Sequence, residues 1–75
     1  MTAAVDRPAA IRKALRNLVA ERGFHGASMV AVAKEAGVAT GTAYVHYDTK
    51  EELVYDTYLE LNAELSAAEL ADFDE

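Results

Sequence analysis

Apolar residues in this chain recur at spacings of three and four, and glycines interrupt the pattern at short intervals. Ile11, Leu15 and Leu18 mark one face of a first helix over residues 7–22, because an α-helix turns once every 3.6 residues. Asp6 is the candidate N-cap of this helix. Gly23 is its expected end, since glycine tolerates the positive φ that often follows a last turn. No alternating pattern typical of a β-strand occurs, so the sequence predicts an all-α fold.

Three further helices are predicted from caps and glycines. Ser28 is a good N-cap for a second helix, which Gly37 ends after barely two turns. A third short helix fits residues 39–46. Thr49 followed by Glu52 is a capping-box pattern and predicts the start of a fourth helix.

Charge is distributed unevenly along the chain, although its net value is −6 at pH 7. Residues 1–50 hold seven basic and four acidic residues, a balance of +3, whereas residues 51–75 hold nine acidic and no basic residues. A locally basic surface can bind phosphate even on an acidic chain. The acidic half is interpreted as a solvated helix face and tail, with an acidic interaction tail as the alternative. Arg12, Lys13 and Arg16 are interpreted as solvated charges, with a place near a DNA backbone as the alternative.

The residue types present exclude several chemistries. The chain has no cysteine, which removes disulfides, cysteine-ligated zinc and thiol catalysis. His25 and His46 are far apart in sequence and have no matching ligand, so no metal site is expected. No P-loop, nucleophile elbow or dinucleotide-binding glycine motif occurs, so neither a cofactor nor an enzyme activity is expected. The longest apolar run, residues 29–33, is far shorter than the roughly 20 residues of a membrane-spanning helix, which favours a cytoplasmic protein.

The turn between the second and third helices is the most informative unit. It has the sequence Ala36-Gly37-Val38, and Gly37 permits the positive φ of a sharp reversal. The third helix is then expected to cross the second steeply. This is the helix-turn-helix arrangement, in which the later helix enters the DNA major groove. The turn alone is a weak signal, because many ordinary corners between two helices contain glycine.

The third helix has small residues, which allow close approach to another surface, together with hydroxyls and polar-tipped rings. Thr40 and Thr42 can bond phosphates or base edges and can touch thymine with their methyl groups. Lys50 is unfavourable in the first turn of the fourth helix, and a bound phosphate would relieve that conflict. The N-terminus of the second helix offers another anion site. The candidate DNA-binding residues are Ser28, Met29, Ala39, Thr40, Gly41, Thr42, Tyr44, His46 and Lys50.

Three segments at this spacing together resemble the N-terminal DNA-binding domain of TetR-family transcriptional regulators. Residues 23–38 contain the Ala-Gly-Val turn, residues 41–47 read Gly-Thr-x-Tyr-x-His-aromatic, and residues 50–53 read Lys-Glu-x-Leu. The apolar positions of the first helix are similar too, so the resemblance covers residues 7–60. The Ala-Gly-Val turn alone is common, but its combination with the other two motifs at this spacing is specific.

The resemblance implies contacts to both phosphates and bases. Ser28 would cap the second helix and bind a phosphate, and Lys50 would bind another. Ala39, Thr40 and Thr42 would face bases or nearby phosphates. The resemblance also implies a homodimer on a palindromic operator, at the nucleoid in the cytoplasm, most often a repressor released by a small-molecule inducer.

Two further positions on the third helix match the family's pattern, and other positions nearby depart from it. Tyr44 would contact a backbone phosphate and a base edge, and His46 would reach a phosphate or support Tyr44. Ala43 stands where the family usually has a larger aliphatic residue, and Tyr47 replaces the commoner phenylalanine. Asp48 places a negative charge near the expected DNA backbone. The third helix has no Arg, Asn or Gln, so little bidentate base recognition is expected from it.

The predicted organisation is a three-helix helix-turn-helix head followed by a linking helix. Residues 1–6 are expected to be frayed, residues 7–48 to form the head, residues 49–70 to form the fourth helix, and residues 71–75 to be an acidic tail. The resemblance implies that the fourth helix leads to a ligand-binding and dimerisation domain. The chain is therefore expected to be a fragment of a longer regulator, with a stand-alone DNA reader as the alternative.

The apolar stripe of the fourth helix is longer than a three-helix head can cover. Val54, Tyr58, Leu61 and Leu65 are expected to form an exposed patch that invites a partner. A function from another class remains open at this point. The chain could be a helical protein-interaction module that uses its acidic fourth helix and does not contact DNA.

Overall fold

The structure, a computed structural model, describes the backbone of residues 6–73 and the side chains of residues 6–64. These residues form helices α1 (Arg7–Arg22), α2 (Met29–Ala36), α3 (Thr40–His46) and α4 (Lys50–Phe73), with a 3-10 turn at Phe24–Gly26. No strand occurs in this range, which confirms the predicted all-α fold. The predicted frayed segment lies outside the described residues except for Asp6. Of the predicted acidic tail, residues 71–73 belong to α4, and residues 74 and 75 lie outside the described range.

Side-chain caps begin two of the helices as the sequence predicts. Asp6 Oδ1 accepts a hydrogen bond from the Ala9 N–H at 3.1 Å. Ser28 Oγ accepts one from the Ala31 N–H, also at 3.1 Å. Each cap satisfies a backbone donor that has no partner within its helix, so it fixes the residue at which the helix begins.

The starts of α3 and α4 differ slightly from the expected form. Helix α3 begins at Thr40, one residue later than predicted, and its N-cap residue Ala39 makes no side-chain cap because it has no side-chain oxygen. At α4, Thr49 Oγ1 accepts from the Glu52 N–H at 3.1 Å. Glu52 Oε1 in turn accepts from the Asp48 N–H at 3.1 Å, one residue earlier than in the usual capping box.

The predicted sharp turn lies between α2 and α3. Gly37 has a φ of +78°, in the left-handed region that favours glycine. The Val38 N–H donates to the Ala33 carbonyl at 3.0 Å, which closes the end of α2. Val38 then packs against the core. The turn therefore reverses the chain so that α3 follows α2 directly.

All four helices contribute side chains to one core. Ile11, Val32 and Leu53 are the largest of its fully buried side chains. The other buried apolar members are Ala14, Leu15, Leu18, Ala27, Met29, Ala33, Ala43 and Tyr47. Helix α3 packs through its small residue Ala43 and through Tyr47 at its end. No described helix is both long and apolar enough to cross a lipid bilayer.

The apolar stripe of α4 is only partly covered by the rest of the chain. Val54, expected in the exposed patch, is instead half-buried, because it packs against the core. Thr57 is buried, and its hydroxyl donates to the Leu53 carbonyl at 2.7 Å. Tyr58 and Leu61 are exposed, as the sequence predicts. The side chain of Leu65 lies outside the described residues.

Candidate nucleic-acid interface

One side of α3 faces away from the core. Ala43 and Tyr47 are buried, whereas Gly41, Tyr44 and Val45 are exposed. Positions 41, 44 and 45 lie on one face because residues three and four apart are neighbours on a helix. We call these three residues the outer face of α3. A short helix with its opposite side anchored in the core can present this face to another molecule.

The remaining candidate residues of this segment border the outer face. Thr40 and Thr42 are half-buried, and Ala39 and His46 are exposed. The structure thus brings six of the nine candidate residues together on α3 and its N-cap. The six are Ala39, Thr40, Gly41, Thr42, Tyr44 and His46.

The N-terminus of α2 has an exposed cap and a buried first residue. Ser28 is exposed, and its hydroxyl already accepts the Ala31 N–H. The side chain of Met29 lies in the core. Only the backbone of Met29 is therefore placed to contact a ligand at this helix N-terminus.

Lys50 is held against the connector that precedes α2. Its ammonium donates to the Phe24 carbonyl oxygen at 2.7 Å and lies 4.0 Å from the centre of the Phe24 ring. An ammonium has three N–H donors, so this hydrogen bond leaves two for another acceptor. The contact positions the charge of Lys50 and gives it a structural role that its place in the motif does not indicate.

Gly41 is a helix glycine that the fold itself does not require. A Cβ added at this position would meet nothing within 4 Å, and Gly41 is not among the glycines with positive φ. Glycine inside a helix costs about 0.5–1 kcal/mol relative to alanine. Gly26 differs, because its added Cβ would lie 2.7 Å from the Cβ of Arg22. The open space at Gly41 is therefore available to an approaching molecule rather than filled by this chain.

A polar cluster joins α1, the end of α3 and α4. The Arg12 Nε donates to Glu60 Oε2 at 3.1 Å, and its Nη1 donates to the Tyr47 hydroxyl at 3.0 Å. The Tyr47 hydroxyl donates to Asp56 Oδ2 at 2.5 Å, and Arg12 Nη1 lies 3.6 Å from the same oxygen. We call Arg12, Tyr47, Asp56 and Glu60 the α1–α4 seam.

Hydrogen bonding and burial set the ionisation of the seam. Burial, together with the hydrogen bond that Tyr47 donates to Asp56, raises the pKa of the Tyr47 phenol. Hydrogen bonds to Tyr47 and Glu60 raise the pKa of the Arg12 guanidinium above its ordinary value. At neutral pH the seam therefore contains a neutral phenol and a charged guanidinium among carboxylates.

The seam revises the interpretation of the basic residues on α1. Arg12 is bonded within the fold, and Arg16 lies 3.7 Å from Glu64, rather than both being solvated charges. A signal for this pairing exists in the sequence. The two arginines are one helical turn apart, and so are Asp56, Glu60 and Glu64. The spacing of charged residues does not reveal that the Tyr47 hydroxyl joins them.

No described part of the chain brings three or more His, Asp or Glu side chains into a group able to hold a metal ion.

Comparison with known proteins identifies the family. Residues 11–56 match the family described as bacterial regulatory proteins, tetR family. The chain is 43% identical over 44 residues to the HTH-type transcriptional regulator UidR of Escherichia coli (strain K12), covering 59% of this chain and 22% of that protein. It is 37% identical over 43 residues to the Fatty acid metabolism regulator protein of Bacillus subtilis (strain 168), covering 57% of this chain and 22% of that protein.

These relatives are much longer than the matched region, so the chain spans 22% of the length of the curated relatives it matches. No solved structure matches the chain. The family match nevertheless covers more than half of the residues and includes α2, the sharp turn and α3. The chain therefore belongs to the tetR family of bacterial regulatory proteins.

Proposed function

We propose that the chain binds double-stranded DNA with α3 in the major groove, as the DNA-reading head of a transcriptional regulator. The observation that carries this proposal is the outer face of α3, which is exposed while Ala43 on the opposite side is fully buried. The open space at Gly41 lets the backbone of α3 approach a base edge closely. This is a binding function, and we assign no catalytic step to the chain.

Phosphate contacts are proposed on both sides of α3. The N-terminus of α2 at Ser28 and Met29 supplies backbone N–H groups and the positive end of a helix dipole. Lys50 supplies a positive charge that the Phe24 carbonyl holds in place. Tyr44 and His46 are both exposed on α3 and add polar tips. These contacts fix the position of the chain on the duplex without reading the sequence.

Base recognition is proposed to depend on small and apolar contacts together with DNA shape. Helix α3 has the sequence Thr-Gly-Thr-Ala-Tyr-Val-His, which contains no side chain capable of bidentate recognition of guanine or adenine. Thr40 and Thr42 are half-buried on the same helix and add hydroxyl and methyl groups beside the outer face. Sequence-dependent shape then contributes a larger share of specificity.

For the whole regulator we propose a homodimer on a palindromic operator at the nucleoid in the cytoplasm. Two heads would place their recognition helices about 34–36 Å apart, on one face of the duplex. Family membership further supports a repressor that a small-molecule inducer releases from DNA. We propose that the inducer binds outside the residues described by the structure. The names of the relatives support a regulatory role alone, and the chain spans only 22% of their length.

The competing function is a protein-interaction module that uses the acidic face of α4. Pairing within the fold weakens this alternative, because Asp56 and Glu60 contact Arg12 and Glu64 lies beside Arg16. Two arginines of α1 thus offset part of the charge of three acidic residues in the described part of α4. A duplex-binding assay separates the two functions, since an interaction module should be indifferent to DNA.

Fluorescence anisotropy with a labelled mixed-sequence duplex, from 50 to 200 mM salt, tests the proposal. With about four phosphate contacts, the slope of log K against log salt is near −3.6, which corresponds to a loss of roughly 150-fold over this range. Lys50→Met should bind all duplexes more weakly and reduce the slope by about one. Lys13→Met is the matched control, because Lys13 is an exposed lysine on α1.

Two results of this assay would count against the proposal or part of it. Thermal melting first shows whether Lys50→Met, which also loses its contact with Phe24, remains folded. If neither the folded chain nor two chains joined by a flexible linker bind duplex at 50 mM salt, DNA binding is wrong. An unchanged slope for a folded Lys50→Met chain removes Lys50 from the phosphate contacts.

A further inference from the structure

Val45 is the most exposed large apolar residue in the described part of the chain. Its relative exposure is 78%, compared with 44% for its neighbour Tyr44. Scattered exposed apolar residues are normal on protein surfaces. Val45 differs from such scattered residues because it lies on the outer face of α3, the surface that is proposed to contact DNA.

The fold gives no reason for a valine at this position. Its side chain contributes little to the core, since most of its surface is in contact with solvent. Valine is also β-branched and loses side-chain freedom in a helix, so it stabilises a short helix less than alanine does. Neither burial nor helix propensity therefore accounts for Val45.

The space beside Val45 is open to an incoming surface. Gly41 lies one turn earlier on the same face and has no side chain, and a Cβ there would meet nothing within 4 Å. A surface can therefore approach the backbone at Gly41 and at the same time touch the methyl groups of Val45. On the outer face of α3, a residue without a side chain, Gly41, therefore lies next to an exposed apolar side chain, Val45.

We propose that Val45 is a specificity-determining residue that contacts the C5-methyl group of a thymine in the major groove. This inference rests on the proposed DNA-binding function. A valine side chain has no donor or acceptor, and the thymine methyl is the apolar group that base edges present in the major groove. Because α3 has no side chain for bidentate recognition, this apolar contact becomes its main direct contribution to sequence preference.

The test deletes single methyl groups from the DNA. A preferred duplex is first selected from a randomised pool with the unaltered chain, and each thymine is then replaced by uracil in turn. We expect one position at which uracil raises the Kd about fourfold, the equivalent of burying one methyl group. Val45→Ala should bind the thymine duplex about as weakly as the unaltered chain binds the uracil duplex. It should also show no further loss with uracil.

The control variant is Leu59→Ala, which truncates an exposed apolar residue on α4. For this variant, replacing the sensitive thymine by uracil should raise the Kd by the same factor as for the unaltered chain. Circular dichroism should show Val45→Ala folded, since alanine favours the helix and Val45 is not in the core. If no thymine is sensitive to uracil, or if Val45→Ala keeps the full uracil effect, the inference is overturned while DNA binding stands. If the chain and its linked dimer bind no duplex, the proposed function is overturned and this inference with it.

Discussion

The outer face of α3 and the α1–α4 seam both adjoin the same small core, through Ala43 and Tyr47, but their residues differ in how far this chain supplies their contacts. In the seam, Arg12 and Tyr47 hydrogen-bond to each other and to carboxylates of α4 at 2.5–3.1 Å. On the outer face, Gly41 borders open space and Val45 is 78% exposed. The seam is completed by residues of this chain, whereas the outer face is suited to contact with a second molecule.

The comparison also clarifies the uneven charge of the chain. Asp56, Glu60 and Glu64 lie beside Arg12 and Arg16, so two basic residues of α1 offset part of the charge of three of the nine acidic residues in the C-terminal third. The same pairing places both arginines beside carboxylates, which offsets part of the positive charge that they present to a phosphate. A basic N-terminal half therefore does not by itself define the DNA-binding surface.

Removing the central cation of the seam should have the largest effect on stability. Arg12→Met keeps much of the side-chain volume but leaves the Tyr47 hydroxyl and the carboxylates of Asp56 and Glu60 without their partner. Loss of one member of a buried pair costs 3–5 kcal/mol, and these carboxylates are partly exposed, so we expect a loss of about 2 kcal/mol. Urea denaturation measures the change.

Lys13→Met is the matched control for Arg12→Met, since Lys13 is exposed on the same helix. Its free energy of unfolding should change by less than about 0.5 kcal/mol, as at most exposed surface sites. Equal effects of the two substitutions would mean that the seam does not stabilise the fold.

Removing one hydroxyl from the seam should have a smaller effect that depends on pH. Tyr47→Phe should lower the free energy of unfolding by about 1 kcal/mol at pH 7, because the ring stays buried and its hydrogen bonds are lost. The pKa of Tyr47 is raised above 10.0 in the folded chain. The corresponding stability is complete below pH 10 and is lost as pH rises through the folded pKa.

Denaturation of both chains across the alkaline range isolates this contribution. The unaltered chain should lose stability more steeply above pH 10 than the Tyr47→Phe chain does. Only the unaltered chain has a Tyr47 hydroxyl that can lose its proton. Tyr55→Phe serves as the control, since Tyr55 is 64% exposed on α4. Parallel pH profiles for the unaltered and Tyr47→Phe chains would contradict the assigned role of the hydroxyl.

The smallest stability change, with the opposite sign, is expected on the outer face. Gly41→Ala should raise the free energy of unfolding by about 0.5–1 kcal/mol, because alanine favours the helix and its Cβ meets no other atom. The same methyl group should weaken duplex binding by holding α3 away from the base edges. Urea denaturation and anisotropy on one sample measure both effects.

Gly26→Ala provides the contrasting variant, because its Cβ would lie 2.7 Å from the Cβ of Arg22 and should destabilise the chain. A Gly41→Ala chain that is more stable and binds duplex as tightly as the unaltered chain would separate Gly41 from the interface.

Local features of the fold could be predicted from the sequence, because they depend on residues close together in the chain. Asp6 and Ser28 cap helices through backbone groups three residues away, and Gly37 sets its turn by its own φ. The contact of Lys50 with Phe24 spans 26 positions, and that of Arg12 with Tyr47 spans 35. Such contacts depend on how the helices pack, which the spacing of caps and glycines does not specify.

The candidate interface was predictable to a similar extent. The motif Gly-Thr-x-Tyr-x-His identifies the segment, and residues 41–47 lie in the matched family region. Val45 occupies a position that the motif leaves open, and its importance depends on which side of α3 faces the core. Packing of Ala43 and Tyr47 decides that orientation and exposes Val45.

An NMR titration of the isotope-labelled chain with duplex DNA compares the two surfaces in one experiment. We predict that the amide signals of Ser28, Met29, residues 39–46 and Lys50 shift as duplex is added, while those of residues 56–64 on α4 remain in place. Shifts confined to α4, with α3 unaffected, would contradict the central claim that the outer face of α3 is the DNA-binding surface.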